Sequence, residues 1–402
     1  MLHVLYFVHD LADPAVRRRV LTLQSGGAKV TLAGFRRDEN ALASISDVTP
    51  IELGQTRDAQ FVQRIGAIAK SALSLRGALG NVAKPDVIIA RNLEMLALAS
   101  RAVSIFGGDV PIAYECLDIH RLLLNGGIAG KAIRGAERYL GANAKLLLTS
   151  SPAFVENYFE QLSGLDLPTM LLENKVIALD GIADEATNAP RAPLTGEPWK
   201  IGWFGALRCS KSLNLLAQFS RAMDGRFEIV LRGRPAASAF DDFDGFVRNE
   251  PFIHFHGPYK NPEHLPSIYN EVQFSWAIDF FEEGQNSNWL LPNRLYEGCL
   301  HGAVPIAMAG TETARFLVDR KIGLTLHSAD LDHLAALLGD MSDQAYFDAH
   351  SAVVAHDRSH WVIDRADCQV LVERLASLTR PSRPVLHPHN LTQPHRNEGG
   401  LL

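Results

Sequence analysis

Twice along this chain, short runs of Val, Ile and Leu alternate with amphipathic helical stretches, and a segment without apolar periodicity separates the two series. In the first series Val4–Val8, Val30–Ala33, Val87–Ala90, Ile112–Tyr114, Leu146–Thr149 and Met170–Leu172 are too short for ordinary helices. Helical patterns such as Pro14–Ser25, Phe61–Leu79, Leu93–Phe106 and Lys131–Leu140 lie between them. Strands that are apolar throughout are buried on both faces, which is the condition of a parallel sheet covered by helices. Residues 179–198, LDGIADEATNAPRAPLTGEP, break the rhythm with Ala, Pro, Gly and acids, and read as a linker. The alternation then restarts with Ile201–Phe204, Phe227–Leu231, Ile253–Phe255, Phe274–Ile278, Val304–Ala307 and Leu324–Leu326. A length of 402 residues suits two domains of ordinary size. The expectation is therefore an α/β chain of two Rossmann-like domains, 1–178 and 199–378, facing a central cleft. The Pro- and His-rich stretch 379–402 is expected to be a disordered tail.

Composition narrows the function. Apolar residues at 47% and charged residues at 21% are those of a globular protein, and a net charge of −6 argues against a nucleic-acid partner. Cys116, Cys209, Cys299 and Cys368 form no CxxC pair and no zinc spacing, so free thiols in a reduced, cytoplasmic protein are expected. No apolar run reaches the roughly 18 residues of a membrane span, and MLHVLYFVHDL reads as a first strand rather than a signal peptide. Membrane contact, if made, is peripheral, at the cytoplasmic face of the inner membrane. The first strand leads into HDLADPAVRRR, without GxGxxG, and no P-loop or GxSxG elbow occurs. What remains are folds that hold a nucleotide in the second domain through side chains and helix N-termini.

The stretch WLLPNRLYEGCLHGAVPIA, residues 289–307, carries the most information. Pro292 suits a first helical turn, Asn293 and Arg294 sit at its start, and Glu297 lies one turn on. A helix N-terminus offers free N–H groups and partial positive charge to a diphosphate, and a carboxylate one turn in can accept bonds from two ribose hydroxyls. This run resembles the donor-binding segment of GT-B glycosyltransferases. The second domain's opening, GWFGALRCSK with Arg208 and Lys211, resembles their diphosphate loop, and Phe255–Tyr259 resembles the turn whose neighbourhood receives the base. More narrowly, YECLDIH at 114–120 together with IGWFGALR and RLYE is similar to bacterial exopolysaccharide glycosyltransferases of the succinoglycan type. The resemblance implies a GT-B fold and transfer of a hexose from a UDP-sugar to a polyprenyl-diphosphate-linked saccharide. It implies donor contacts at Arg208, Lys211, Tyr259, Asn293, Arg294 and Glu297, and no required metal or other cofactor. Many retaining members carry a second upstream glutamate eight positions away; here Leu290 stands upstream, and Glu282 and Glu283 are out of register. That departure favours inversion.

An inverting transferase needs a general base on the acceptor side. Glu115, Asp118 and His120 follow a buried strand at its C-terminal end, where ligands of open α/β sheets gather. Asp118 is the expected base, with Glu115 and His120 binding or orienting substrate. His9 and Asp10 form a second candidate pair, and Arg232 a further phosphate contact. Residues 57–76 pattern as a basic amphipathic helix that suits either an anionic membrane or the core. Two other functions fit the same fold: a nucleotide-sugar epimerase, and a non-catalytic sugar-nucleotide-binding subunit.

Overall fold

A computed structural model describes residues 1–36, 45, 47–56, 61–179 and 192–380, the side chains of 61–65 excepted. Most of the expected linker, residues 180–191, and the tail from 381 lie outside the described residues, with the histidines at 387, 389 and 395.

The first unit runs β1 (His3–Val8), α1 (Pro14–Ser25), β2 (Lys29–Arg36), β3 (Ile51–Gln55), α2 (Phe61–Ala78), β4 (Val87–Arg91), α3 (Leu93–Ile105), β5 (Ile112–Cys116), α4 (Arg121–Leu124), α5 (Ile128–Gly141), β6 (Ala144–Thr149), α6 (Pro152–Phe154) and β7 (Thr169–Leu171). Its seven strands are parallel in the order β3-β2-β1-β4-β5-β6-β7. After β8 (Val176–Ile177), the second unit runs β9 (Trp199–Leu207), α7 (Ser210–Ala222), β10 (Phe227–Pro235), α8 (Phe243–Arg248), β11 (Ile253–Phe255), α9 (Leu265–Tyr269), β12 (Phe274–Trp276), α10 (Asn286–Trp289), α11 (Asn293–Leu300), β13 (Val304–Met308), α12 (Glu312–Arg320), β14 (Leu324–Leu326), α13 (Leu331–Leu338) and α14 (Asp343–Val354). It too is all parallel, in the order β11-β10-β9-β12-β13-β14. Each sheet reverses its winding beside its first strand, so the crevices that accept ligands open after β1, β4 and β5 in one unit and after β9 and β12 in the other.

The fold of two parallel-sheet Rossmann-like layers agrees with the sequence expectation. The elements missed are β3, whose half-buried IELGQ has no continuous apolar run, and the two-residue pair of β8 with β15 (Val362–Ile363). The last helix, α15 (Arg365–Ser377), crosses back to pack on α1, and its Leu371, Val372 and Leu375 join the first unit's core. At this junction a Cβ on Gly26 would lie 2.2 Å from the Cys368 carbonyl oxygen, which is backbone and cannot yield. Gly26→Ala is therefore expected to destabilise the chain by about 1–3 kcal/mol, read as a lower melting temperature. An unchanged melting temperature would show that α15 is loosely seated.

Among the described residues no helix is long and apolar enough to cross a membrane. The apolar stripe of the basic amphipathic helix expected on residues 57–76 turns inward where it is described: Leu75 is buried, and Ile68 and Ala72 pack on the same core, while Lys70 and Arg76 are exposed. Arg57 lies outside the described residues, and nothing is described of the side chains of Phe61, Arg64 and Ile65.

Candidate active site

In the first unit a cavity of about 230 Å³ opens at the strand ends, with His9, Asn92, Glu94, Asp118 and His120 among its lining. Asp118 follows β5 and is open to the cleft by area, yet the cleft walls crowd it. That crowding pushes its pKa above the usual carboxylate range, against the opposing pull of Arg208, Arg91 and a hydrogen bond from Asn286. His120 caps α4, its Nδ1 accepting from the Leu122 N–H at 3.3 Å. Asp10 Oδ1 accepts from the Ala12 N–H at 2.9 Å and shapes the turn after β1. Asn92, which the sequence reading missed, holds φ 68° and ψ 167°, a region used almost only by glycine. Its amide lies 3.3 Å from His9 Nδ1 rather than capping α3. The available signal was a polar residue placed between a buried strand and a helix at the winding reversal.

Glu115, expected beside Asp118 in the cleft, is sealed instead, at 0% exposure. It accepts from Arg19 Nε at 2.6 Å, from Arg91 Nη1 at 3.3 Å and from the Tyr6 hydroxyl. Arg91 also donates to Asp13 at 2.9 Å. Burial alone would raise the Glu115 pKa, but the two guanidinium groups and the tyrosine outweigh it and hold the carboxyl below its ordinary value. The reason is packing: Glu115 is still within β5, where Arg19, Arg91 and Tyr6 draw it under the sheet, whereas Asp118 lies in the bend beyond the strand's end. Glu115 thus belongs to a charge-balanced cluster beneath the cavity floor.

In the second unit, β9 and β10 end in paired glycines. Gly205 and Gly233 have φ +109° and +133°, and a Cβ on Gly233 would meet the Gly205 oxygen at 1.8 Å. Just beyond, Arg208 donates to Asp279 Oδ2 at 3.1 Å and stacks on Phe281, while Lys211 pairs with Glu283 at 2.7 Å and lies over Phe280. Asp279 is mostly buried; that burial is outweighed by Arg294 and Arg208, which hold its pKa low. Sequence reading missed it because it sits in a loop after a short strand.

Helix α11 begins at Asn293 with Pro292 as its N-cap. Glu297 is 2% exposed and accepts from Asn261 Nδ2 at 2.7 Å and from the Tyr269 hydroxyl at 3.2 Å. Burial raises its pKa, partly offset by Arg18 from the first unit. Arg18 also reaches the Asn293 Oδ1 at 3.5 Å, a long contact, and was concealed in the sequence within the RRR run after β1. Tyr259 is half-buried with its ring edge on Phe204. Arg294, expected as a donor contact, turns inward: it is 8% exposed, and its Nη2 donates to the Ile278 carbonyl at 2.7 Å. Arg232 pairs with Glu271 at 2.8 Å rather than standing ready for a phosphate. Counted strictly, the residue eight positions before Glu297 is Trp289.

The two halves meet at α10. Asn286 Oδ1 accepts from the Ile119 N–H at 3.1 Å, Ser151 Oγ donates to the Trp289 carbonyl, and Trp289 and Leu290 pack on the first unit's core. A bidentate Arg315–Glu156 pair, at 2.7 and 3.0 Å, closes one side. Asp118 thereby faces Arg208 closely enough to feel its charge, and Arg18 faces Glu297. This arrangement can hold an anionic leaving group against cations while a carboxylate approaches from the opposite wall.

No protein-family model matches the chain. The succinoglycan biosynthesis protein ExoL of Rhizobium meliloti (strain 1021) is 62% identical over 403 residues, covering 100% of both chains. Among solved structures, sucrose-phosphate synthase from Thermosynechococcus elongatus aligns with a TM-score of 0.66 at 14% identity, over 94% of this chain and 97% of its own. The Anabaena protein HepE in complex with UDP and glucose aligns at 0.65 and 12% identity, over 94% and 100%. The lipopolysaccharide outer core galactosyltransferase WaaB aligns at 0.58 and 14% identity, over 93% and 95%. At such identities these structures speak to fold, and their shared fold is that of the GT-B glycosyltransferases. With full-length identity on one side and this fold on the other, the chain belongs to the family of the succinoglycan biosynthesis protein ExoL, on a GT-B scaffold.

Proposed function

We propose that this chain is a glycosyltransferase that moves a hexose from a UDP-sugar to a polyprenyl-diphosphate-linked saccharide in exopolysaccharide synthesis, with inversion at the transferred carbon. The observation that carries the reading is Asp118, its pKa raised, facing Arg208 across the cleft. Asp118 takes the proton of the acceptor hydroxyl, the acceptor oxygen bonds to the anomeric carbon, and the bond from that carbon to the diphosphate oxygen breaks. Arg208, Lys211, Arg18 and the α11 N-terminus receive the charge left on UDP. Those side chains supply the counter-charge in place of a metal. Arg208 and Lys211 hold Asp279 and Glu283 in the structure described, so the diphosphate competes for cations that are already oriented. The relative's role in succinoglycan biosynthesis and HepE's complex with UDP and glucose support the donor and pathway class. Inversion is supported by Trp289 at the position where many retaining GT-B members carry a second glutamate. UDP release with candidate donors and lipid extracts, followed by anomeric analysis of the product, tests the whole reading; a product that retains the donor's configuration overturns the inversion.

Glu297 tests the donor half alone. If it accepts hydrogen bonds from the ribose, Glu297→Ala should weaken UDP-sugar binding by about tenfold to a hundredfold, the loss of charge-assisted bonds worth about 1.5–3 kcal/mol. Calorimetric titration measures this, with Glu297→Gln, which keeps the bulk beside Asn261 and Tyr269, separating affinity from folding. Unchanged affinity in both folded variants would assign Glu297 to core hydrogen bonding only.

A further inference from the structure

The outer face of α5 exposes groups that water does not favour. Ile128 is 89% exposed and Tyr139 80%. They stand eleven positions apart, about three helical turns, so they fall on one line, with Ala132 and Gly135 between them and exposed. Lys131, Arg134 and Arg138 run along one flank. The helix's single acid, Glu137, faces the opposite way at 0% exposure, held by the hydroxyls of Tyr114 and Tyr158. No other acid occurs between Asp118 and Glu156, in a chain whose net charge is −6. Among the described residues no ion pair joins the three cations to a carboxylate: Arg134 donates to the Leu123 and Asn125 carbonyls, and Arg138 to that of Ser163. Charge is thus segregated on this helix against the trend of the whole molecule.

The same helix borders the candidate acceptor cavity. Ile133 of α5 and Leu123 of α4 line its wall, beside Asp118 and His120. A surface lying on the outer face of α5 would therefore lie next to the cavity.

We infer that the outer face of α5 docks the first unit on an anionic lipid bilayer. A narrow apolar stripe with an amphipathic aromatic ring, flanked by lysine and arginine, matches an interface of acyl chains and acidic headgroups. Charge complementarity selects the anionic surface. The inference rests on the proposed lipid-linked acceptor for its purpose, since docking brings the cavity to the layer in which such an acceptor is anchored. It replaces the helix at 61–78 as the contact, because that helix spends its described stripe on the core.

Co-sedimentation of the full chain with phosphatidylcholine vesicles, with and without phosphatidylglycerol, tests it. Binding is expected only with phosphatidylglycerol and should weaken with salt. Lys131→Gln should lower it about fivefold, the effect of one surface charge. Ile128→Asp combined with Tyr139→Asp should abolish it while the melting temperature, which reports folding of the first unit as well as the second, stays unchanged. Equal binding to both vesicle types, no binding to either, or wild-type binding by the folded double variant would overturn the inference. The double variant should also lose transfer to an acceptor embedded in vesicles but keep transfer to a water-soluble analogue; loss on both would make α5 part of the site and not a dock. Vesicle binding as expected, without transfer to any acceptor, would leave the dock standing and remove the proposed transferase reading.

Discussion

Asp118→Asn should lower turnover by about 10²–10⁴-fold and leave UDP-sugar affinity nearly unchanged. The substitution keeps the shape of the side chain and its capacity to bond Asn286, and removes only the basicity. The proposed donor groups Arg208, Lys211, Asn293 and Glu297 lie on the other unit and Arg18 on α1, away from β5, so binding and chemistry should separate in the kinetics. The pH dependence adds a second readout. A general base works deprotonated, so kcat/KM should rise with pH through the Asp118 pKa and then level off. Because crowding by the cleft walls raises that pKa, despite Arg208, Arg91 and Asn286, the rise should fall at higher pH than for an ordinary carboxylate. Arg208→Gln removes one opposing charge and should move the rise higher still. His120→Ala should act more mildly, since its ring caps α4 beside the cavity. Full activity in Asp118→Asn would move the base assignment to His9, which Asn92 holds at the same cavity.

The sequence disclosed the frame because buried parallel strands are apolar from end to end, and such runs are visible one at a time. Val4–Val8 and Val87–Ala90 could be read to within one residue for that reason, whereas β3, half-buried at the sheet edge, could not. The site was only partly legible. Spacing placed Asp118 after β5 and Arg208 after β9, and the winding reversals bring both to the cleft. Which way a side chain turns at a strand end is set by packing, and packing is not local in sequence. Glu115 and Arg294 look equivalent to Asp118 and Arg208 on paper, yet each is turned into the protein by partners 16 to 109 positions away. Arg18 and Asn286 reach the site from the opposite unit, so neither carries a local signal at all.

Glu115 allows the sharpest test of that distinction. Glu115→Ala leaves Arg19 and Arg91 buried without their shared carboxylate, and breaking a buried pair from one side costs about 3–5 kcal/mol. Chemical unfolding should show the loss directly, as a transition of the first unit moved to lower denaturant. Glu115→Gln should lose less at neutral pH, because an amide still accepts from Arg19 and Tyr6. The pH dependence then distinguishes charge from shape. Because its folded-state pKa lies below the ordinary carboxylate value, ionised Glu115 stabilises the protein above that value, and the contribution is lost as pH falls through the lowered pKa. The stability gap between wild type and Glu115→Gln should therefore narrow in acid, while that of a variant lost through shape alone would persist. If Glu115→Gln instead keeps full stability and loses transfer, the buried cluster reaches the substrate, and the separation between the cavity floor and the charges beneath it does not hold.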